Sequence, residues 1–228
     1  MTAPAQLALG LPHRAALGRE DFLVAASNAE AVAWLDRWPD WPAPALALVG
    51  PAGAGKTHLA QVWRHKTGAV EVAAQPEADP PALAARGAAV LDLGAAFGPE
   101  DERRLLHLYN LLAERRGHIL LVGREAPARW PLKLPDLRSR LSTAPAAALR
   151  APDDELRAAI LVKLFADRQL RVEAETVRYL VERLDRSFAA LGEAVAALDH
   201  AALAERRALT IPFARTVLAR LALTSEED

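Results

Sequence analysis

At 228 residues the chain has room for one sizeable core or for a core with a smaller attached domain; 52% of it is hydrophobic, much of that alanine, and 25% is charged, a globular balance that favours helices. Its 28 Lys and Arg against 29 Asp and Glu leave no global positive field, so strong direct DNA binding is not expected, and the absence of cysteine excludes disulfides, thiolate zinc sites and cysteine nucleophiles. No apolar run reaches about 18 residues and no signal-peptide layout opens the chain, so a cytoplasmic protein with no membrane partner is expected.

Residues 1–18 hold a short apolar alternation, Gln6-Leu7-Ala8-Leu9-Gly10-Leu11, too brief to build a core, and read as a flexible tail. Ser27 and Asn28 then precede Ala29-Glu30-Ala31-Val32-Ala33-Trp34-Leu35, where a cap residue and helical apolar spacing predict a helix that stops near Pro39. The run Ala45-Leu46-Ala47-Leu48-Val49 ends in glycine, as a buried parallel strand does. Similar runs at 69–73, 88–91 and 118–122 predict further strands, with an amphipathic helix over 100–116 between the last two. Such alternation predicts an α/β domain over 19–147, a mostly parallel sheet covered by helices. After residue 148 the strands stop. Pro152-Asp153-Asp154-Glu155 opens a helix with acids in its first turn, and Leu156, Ile160, Leu161, Leu164 and Phe165 keep helical spacing. Helices over 174–184, 188–204 and 213–221 complete a small all-helical domain, 148–228.

Chemistry enters with Gly50-Pro51-Ala52-Gly53-Ala54-Gly55-Lys56-Thr57, which matches G-x-x-x-x-G-K-T behind a predicted strand. The glycines let the loop turn tightly and bring backbone N–H groups onto phosphates, and the helix N-terminus adds favourable partial charge. Lys56 reaches the β and γ phosphates, and the Thr57 hydroxyl holds magnesium. With glycine at about 7% of residues, such a pattern arises by chance in on the order of one chain in a hundred of this length. His58 joins the nucleotide-binding set as a local packing or hydrogen-bonding residue, not a catalytic one. Asp92, ending the run Ala89-Val90-Leu91, stands where P-loop proteins set a carboxylate toward Mg, often through water. The next position, where many ATPases carry a second acid to activate the attacking water, is Leu93, which cannot accept a proton. Leu134-Pro135-Asp136-Leu137-Arg138-Ser139-Arg140-Leu141 sets two arginines ahead of the helical domain. The tryptophans at 34, 38 and 41 read as packing residues, not base-stacking ones.

Together these residues resemble the DnaA family of AAA+ replication initiators, and within it the shorter Hda type that inactivates DnaA. Asp21-Phe22-Leu23-Val24 with Ser27-Asn28 is similar to the family's segment at the adenine pocket, Gly55-Lys56-Thr57-His58-Leu59 to its P-loop ending, and residues 134–141 to its arginine-finger segment. Leu209-Thr210-Ile211-Pro212-Phe213 is the part most specific to the Hda type. The resemblance implies an AAA+ α/β domain with a helical lid and nucleotide between them, either ADP or ATP with Mg. Leu23, Val24 and Asn28 would line the base end, and Arg140 would act as a finger on a neighbour's ATP. It also implies that Gln6, Leu7, Leu9 and Leu11 bind the DNA polymerase sliding clamp, although Gly10 replaces a proline of the usual motif. DnaA and that clamp are the implied partners, and a homodimer is open to such a chain.

Three positions depart from the family. Gly123 and Arg124 replace a polar and acidic pair at the first sensor, and Ala189 replaces the second sensor arginine, with Arg186 one helical turn earlier. With Leu93, these departures predict a protein that binds nucleotide and hydrolyses little of it alone; the resemblance implies that it acts instead by stimulating hydrolysis on DnaA with the DNA-loaded clamp. The rival expectations are an independent ATPase that loads or remodels a DNA-bound partner, and a DNA-binding initiator fragment. The basic DNA-binding domain that a full initiator would carry is not in the sequence.

Overall fold

The computed structural model describes residues 23–73, 78–93 and 98–224, which divide into two compact units, one up to Ala151 and one from Pro152. In the first, the buried runs form β1 (Ala45–Val49), β2 (Val70–Glu71), β3 (Ala88–Asp92) and β4 (His118–Gly123), with β5 (Ala146–Ala148) at the edge. Among the described residues the sheet is five-stranded and parallel, in the order β2-β3-β4-β1-β5. Every residue of β1 is buried, which is why it carries no polar alternation.

Both faces of the sheet are covered. Leu46, Leu48, Val90, Leu120 and Val122 face one cluster with α1 (Ala29–Asp36) and α2 (Lys56–Thr67). Ala45, Ala89, Leu91, Ile119 and Leu121 face the other, with α3 (Pro80–Ala84), α4 (Pro99–Glu114) and α5 (Pro135–Ser142). The two-residue period of each strand is what divides its side chains between these layers. Trp41 stacks on Trp63 with ring centroids 5.3 Å apart, Trp38 meets Trp63 edge-on, and Trp34 packs against the same cluster. The packing role expected of 34, 38 and 41 is the one they have.

The second unit is helical: α6 (Asp154–Asp167), α7 (Ala174–Arg183), α8 (Phe188–Glu205) and α9 (Ile211–Thr224). Asp153 caps α6 by accepting from the Leu156 N–H at 2.8 Å, and Ser187 caps α8 by accepting from Ala190 at 3.1 Å. Leu161, Phe165, Leu180, Leu191, Leu198 and Phe213 form its core. A buried charge sits among them. Arg157, 2% exposed, pairs with Asp154 at 2.9 Å and donates to the carbonyls of Leu184 and Asp185, which fixes the turn between α7 and α8. Among the described residues no helix is long and apolar enough to cross a membrane.

Several local expectations shift. Asn28 stands at the N-cap of α1, yet its side chain makes no cap bond. β2 is shorter than the run at 69–73, although the Val72 N–H still reaches Val90 O at 2.9 Å. α9 starts two residues before the predicted 213. β5 reads in sequence as alanines, the residue type least suggestive of a strand, and exists because β1 offers it a free edge.

Candidate nucleotide-binding site

β1 delivers the chain to the P-loop, and Gly50 is required at the first step: a β-carbon there would lie 2.4 Å from the carbonyl oxygen of Leu149, beside the bond that Leu149 N–H makes to Val49 O. Gly53 (φ 71°) and Gly55 (φ 87°) take left-handed backbone that other residues adopt only with strain, and Gly55 is the N-cap of α2. The loop therefore turns its backbone toward the start of α2. Ala54 is buried beneath it, while Pro51, Ala52, Thr57 and His58 are exposed.

The Lys56 ammonium donates to the carbonyls of Gly50 (2.8 Å) and Pro51 (2.7 Å), so it is folded over the loop that a phosphate would occupy. Partial burial lowers its pKa; Asp92 acts in the opposite sense and Arg124 adds to the lowering. One acid and two cations thus share the field above the loop. This donor set fits the β and γ phosphates of a nucleotide, because the backbone cradle supplies N–H groups and Lys56 the charge. Among the described residues no cluster of three His, Asp or Glu could hold a metal alone. The Thr57 hydroxyl and the Asp92 carboxylate are a donor set suited to magnesium, which usually takes one or two protein oxygens and completes its shell with phosphate and water.

Asp92 is exposed at the end of β3, paired in register with Val122. Leu93 is turned differently: its side chain packs with the apolar cluster of α4 and β4, and its N–H bonds Val122 O at 2.8 Å. At the end of β4, Gly123 has the indole of Trp130 against it. Trp130 is held there by its own N–H, which donates to Glu125 O at 2.8 Å. The tryptophan is a residue that sequence reasoning missed, since nothing in the spacing of 123 and 130 announces their contact.

The segment before α1 is organised by Asn28. Its Oδ1 accepts from the Ala25 N–H and its Nδ2 donates to Leu23 O, both at 2.9 Å, while the side chain is 3% exposed. Asn28 thereby shapes the turn that carries Leu23 and Val24, and Val24 is left 52% exposed, an unusual state for valine. Arg138 and Arg140 lie on α5 and are exposed; Arg140 pairs with Asp136 at 3.1 Å. In the helical unit Ala189 is exposed in the first turn of α8, and Arg186, just before it, stands 3.9 Å from Asp154. Gln6, Leu7, Leu9 and Leu11 lie outside the described residues.

Glu102 is the second missed residue. Though ionisable, it is 3% exposed, because its carboxylate accepts the N–H groups of Lys133 (3.0 Å to each oxygen) and Leu134 (2.6 Å) at the start of α5.

The family model for the Hda lid domain matches residues 154–218, the span of α6 to α9. The chain is similar to domain III of the replication initiation protein DnaA from Thermotoga maritima, with a TM-score of 0.74 and 17% identity over 92% of this chain and 98% of that one. The chain thus has the fold of DnaA domain III, and its helical unit matches the Hda lid. The AAA+ fold also aligns with AMPPCP-bound DnaA from Aquifex aeolicus (TM-score 0.65, 18% identity, 81% of this chain and 65% of that one). It aligns with RuvB from Thermotoga maritima at a TM-score of 0.59 and 14% identity, over 78% of this chain and 62% of that one. At these identities the likeness is one of fold. An uncharacterized protein of Haemophilus influenzae is 33% identical over 129 residues, 56% of this chain and 56% of that protein, so the match spans little more than half of that relative.

Proposed function

We propose that this AAA+ protein binds ADP or ATP with Mg and acts as a regulator: together with the DNA-loaded sliding clamp, it stimulates ATP hydrolysis on DnaA and so represses re-initiation of replication. The observation that carries the reading is a contrast within one site. The phosphate cradle is whole, with Lys56 over it, whereas Leu93 is packed into the apolar cluster and Gly123 is covered by Trp130, so neither offers the attacking water a base. Nucleotide here is a structural ligand. The AMPPCP held by the related Aquifex aeolicus DnaA supports nucleotide as the ligand class.

In this reading the bound diphosphate or triphosphate supplies negative charge that Lys56 and the loop N–H groups compensate. Thr57 and Asp92 would hold the metal, His58 supports the start of α2, and Leu23 and Val24, on the turn shaped by Asn28, face the base. The output is Arg140. A guanidinium is permanently charged and presents a fixed fork of donors, so it stabilises charge developing on transferred phosphoryl oxygens without a prior protonation step. Gln6, Leu7, Leu9 and Leu11 would dock as an extended segment on the clamp, which sets the finger beside DnaA at high effective concentration.

The test is finger substitution. Fingers supplied in trans are worth roughly 10³ to 10⁵ in rate, so Arg140→Ala should keep nucleotide binding and lose nearly all stimulation, while Arg138→Ala loses less. Full stimulation by Arg140→Ala would refute the assignment.

A further inference from the structure

Arg140 does not stand alone on α5. Leu137 and Leu141, both fully buried, anchor the helix against the apolar cluster it shares with α4. Glu102 of α4 fastens the start of α5 through its three backbone contacts with Lys133 and Leu134. Seven residues along α4, on the same face, comes Tyr109, 7% exposed. The Arg140 guanidinium carbon lies 5.9 Å from the centre of the Tyr109 ring, within the range of a cation–π contact. Arg140 Nε also donates to Asp136 Oδ1 at 3.1 Å. The guanidinium is therefore held by one edge and one face, and the bond to Asp136 engages Nε, not the two terminal nitrogens that form the fork for a phosphate.

We propose that Tyr109 and Asp136 are positioning residues for Arg140, fixing the plane of its guanidinium so that the terminal nitrogens meet a phosphate on the neighbouring protein in one orientation. This rests on the finger role proposed for Arg140. Arg140 is a long, half-exposed side chain, and left unsupported it would sample many rotamers, most of them unproductive. The charge of Arg140 is felt at the Tyr109 hydroxyl, where it opposes the upward pKa shift that burial causes. An aromatic ring and a carboxylate each restrict a different motion, tilt and rotation about the last carbon–nitrogen bond.

The experiment measures phosphate release from ATP-loaded DnaA, with the clamp on DNA, against increasing concentrations of this protein. Tyr109→Leu should lower the maximal stimulated rate by about 10-fold to 100-fold, the scale of a misplaced catalytic group, with the half-saturating concentration unchanged. Tyr109→Phe, which retains the ring, should restore the wild-type rate. Asp136 is exposed, so Asp136→Asn keeps the fold and should still lower the maximum several-fold. In an Arg140→Ala background neither substitution should matter further. If Arg140→Ala abolishes stimulation but Tyr109→Leu and Asp136→Asn both reach the wild-type maximum, the positioning role is wrong and the finger stands. If Arg140→Ala itself stimulates normally, the finger reading and the positioning role fall together.

Discussion

A methyl group on Gly123, the last residue of β4, would stand 3.2 Å from the Trp130 indole, at Nε1 and Cζ2. The end of β4 is thus closed by an aromatic ring. Restoring a side chain at 123 should overpack the site before it restores any chemistry. Gly123→Asn should destabilise the α/β unit by about 1 to 3 kcal/mol in urea denaturation, and should leave ATP turnover at the wild-type level. A stable Gly123→Asn protein that hydrolyses ATP faster than wild type would show that Trp130 yields.

Lys56 separates binding from stability. Burial lowers its pKa in the folded state, so the stability tied to this group is present above its unfolded pKa and is lost as pH falls through the lowered folded value. Near neutral pH its charge therefore works against the fold. Lys56→Met should melt no lower than wild type without nucleotide, yet lose the upward shift in melting temperature that ADP gives wild type. A Lys56→Met protein that ADP stabilises as well as wild type would refute the assignment.

Removing the Glu102 carboxylate leaves two N–H groups at the start of α5 without their acceptor. Glu102→Ala should cost about 1 to 3 kcal/mol for each donor left buried, and amide exchange at 133 and 134 should accelerate. Glu102→Gln retains one acceptor oxygen and should fall between. Unchanged exchange at both amides in Glu102→Ala would mean that α5 is held by its apolar face alone.

His118, at the start of β4, meets the edge of Trp41 with centroids 5.3 Å apart, and burial lowers its pKa while Asp40 opposes that shift. A base whose folded pKa is lowered contributes stability above its unfolded value of about 6.5 and loses it as pH falls through the folded value. Wild-type stability should decline below about pH 6.5 more steeply than that of His118→Gln, by chemical denaturation across pH 5 to 8. Parallel profiles would exclude His118 as the titrating group.

Legibility in the sequence followed burial. β1, β3 and β4 could be read because strands covered on both faces are continuous apolar runs, α6 because its capped start and helical spacing agree, and α7 and α8 from helical spacing. β5 could not be read, since three alanines become a strand only when β1 presents its edge. At the site, the P-loop was legible because its glycines and Lys56 are fixed by local backbone chemistry. Leu93 was legible as a missing acid. The contacts of Gly123 with Trp130, of Glu102 with Lys133 and Leu134, and of Arg140 with Tyr109 join residues 7 to 32 positions apart through tertiary packing, and no local pattern encodes them.

In the proposed function this protein acts on ATP held by DnaA and hydrolyses little of its own. DnaA is loaded with labelled ATP and freed of excess nucleotide, and conversion to ADP is followed after adding this protein in its ADP-bound form, with or without the sliding clamp on DNA. Rapid conversion is expected only when protein and clamped DNA are both present, with negligible turnover by the protein alone. Conversion no faster than that of DnaA alone, together with vigorous hydrolysis of ATP by the isolated protein, would contradict it and favour an independent ATPase.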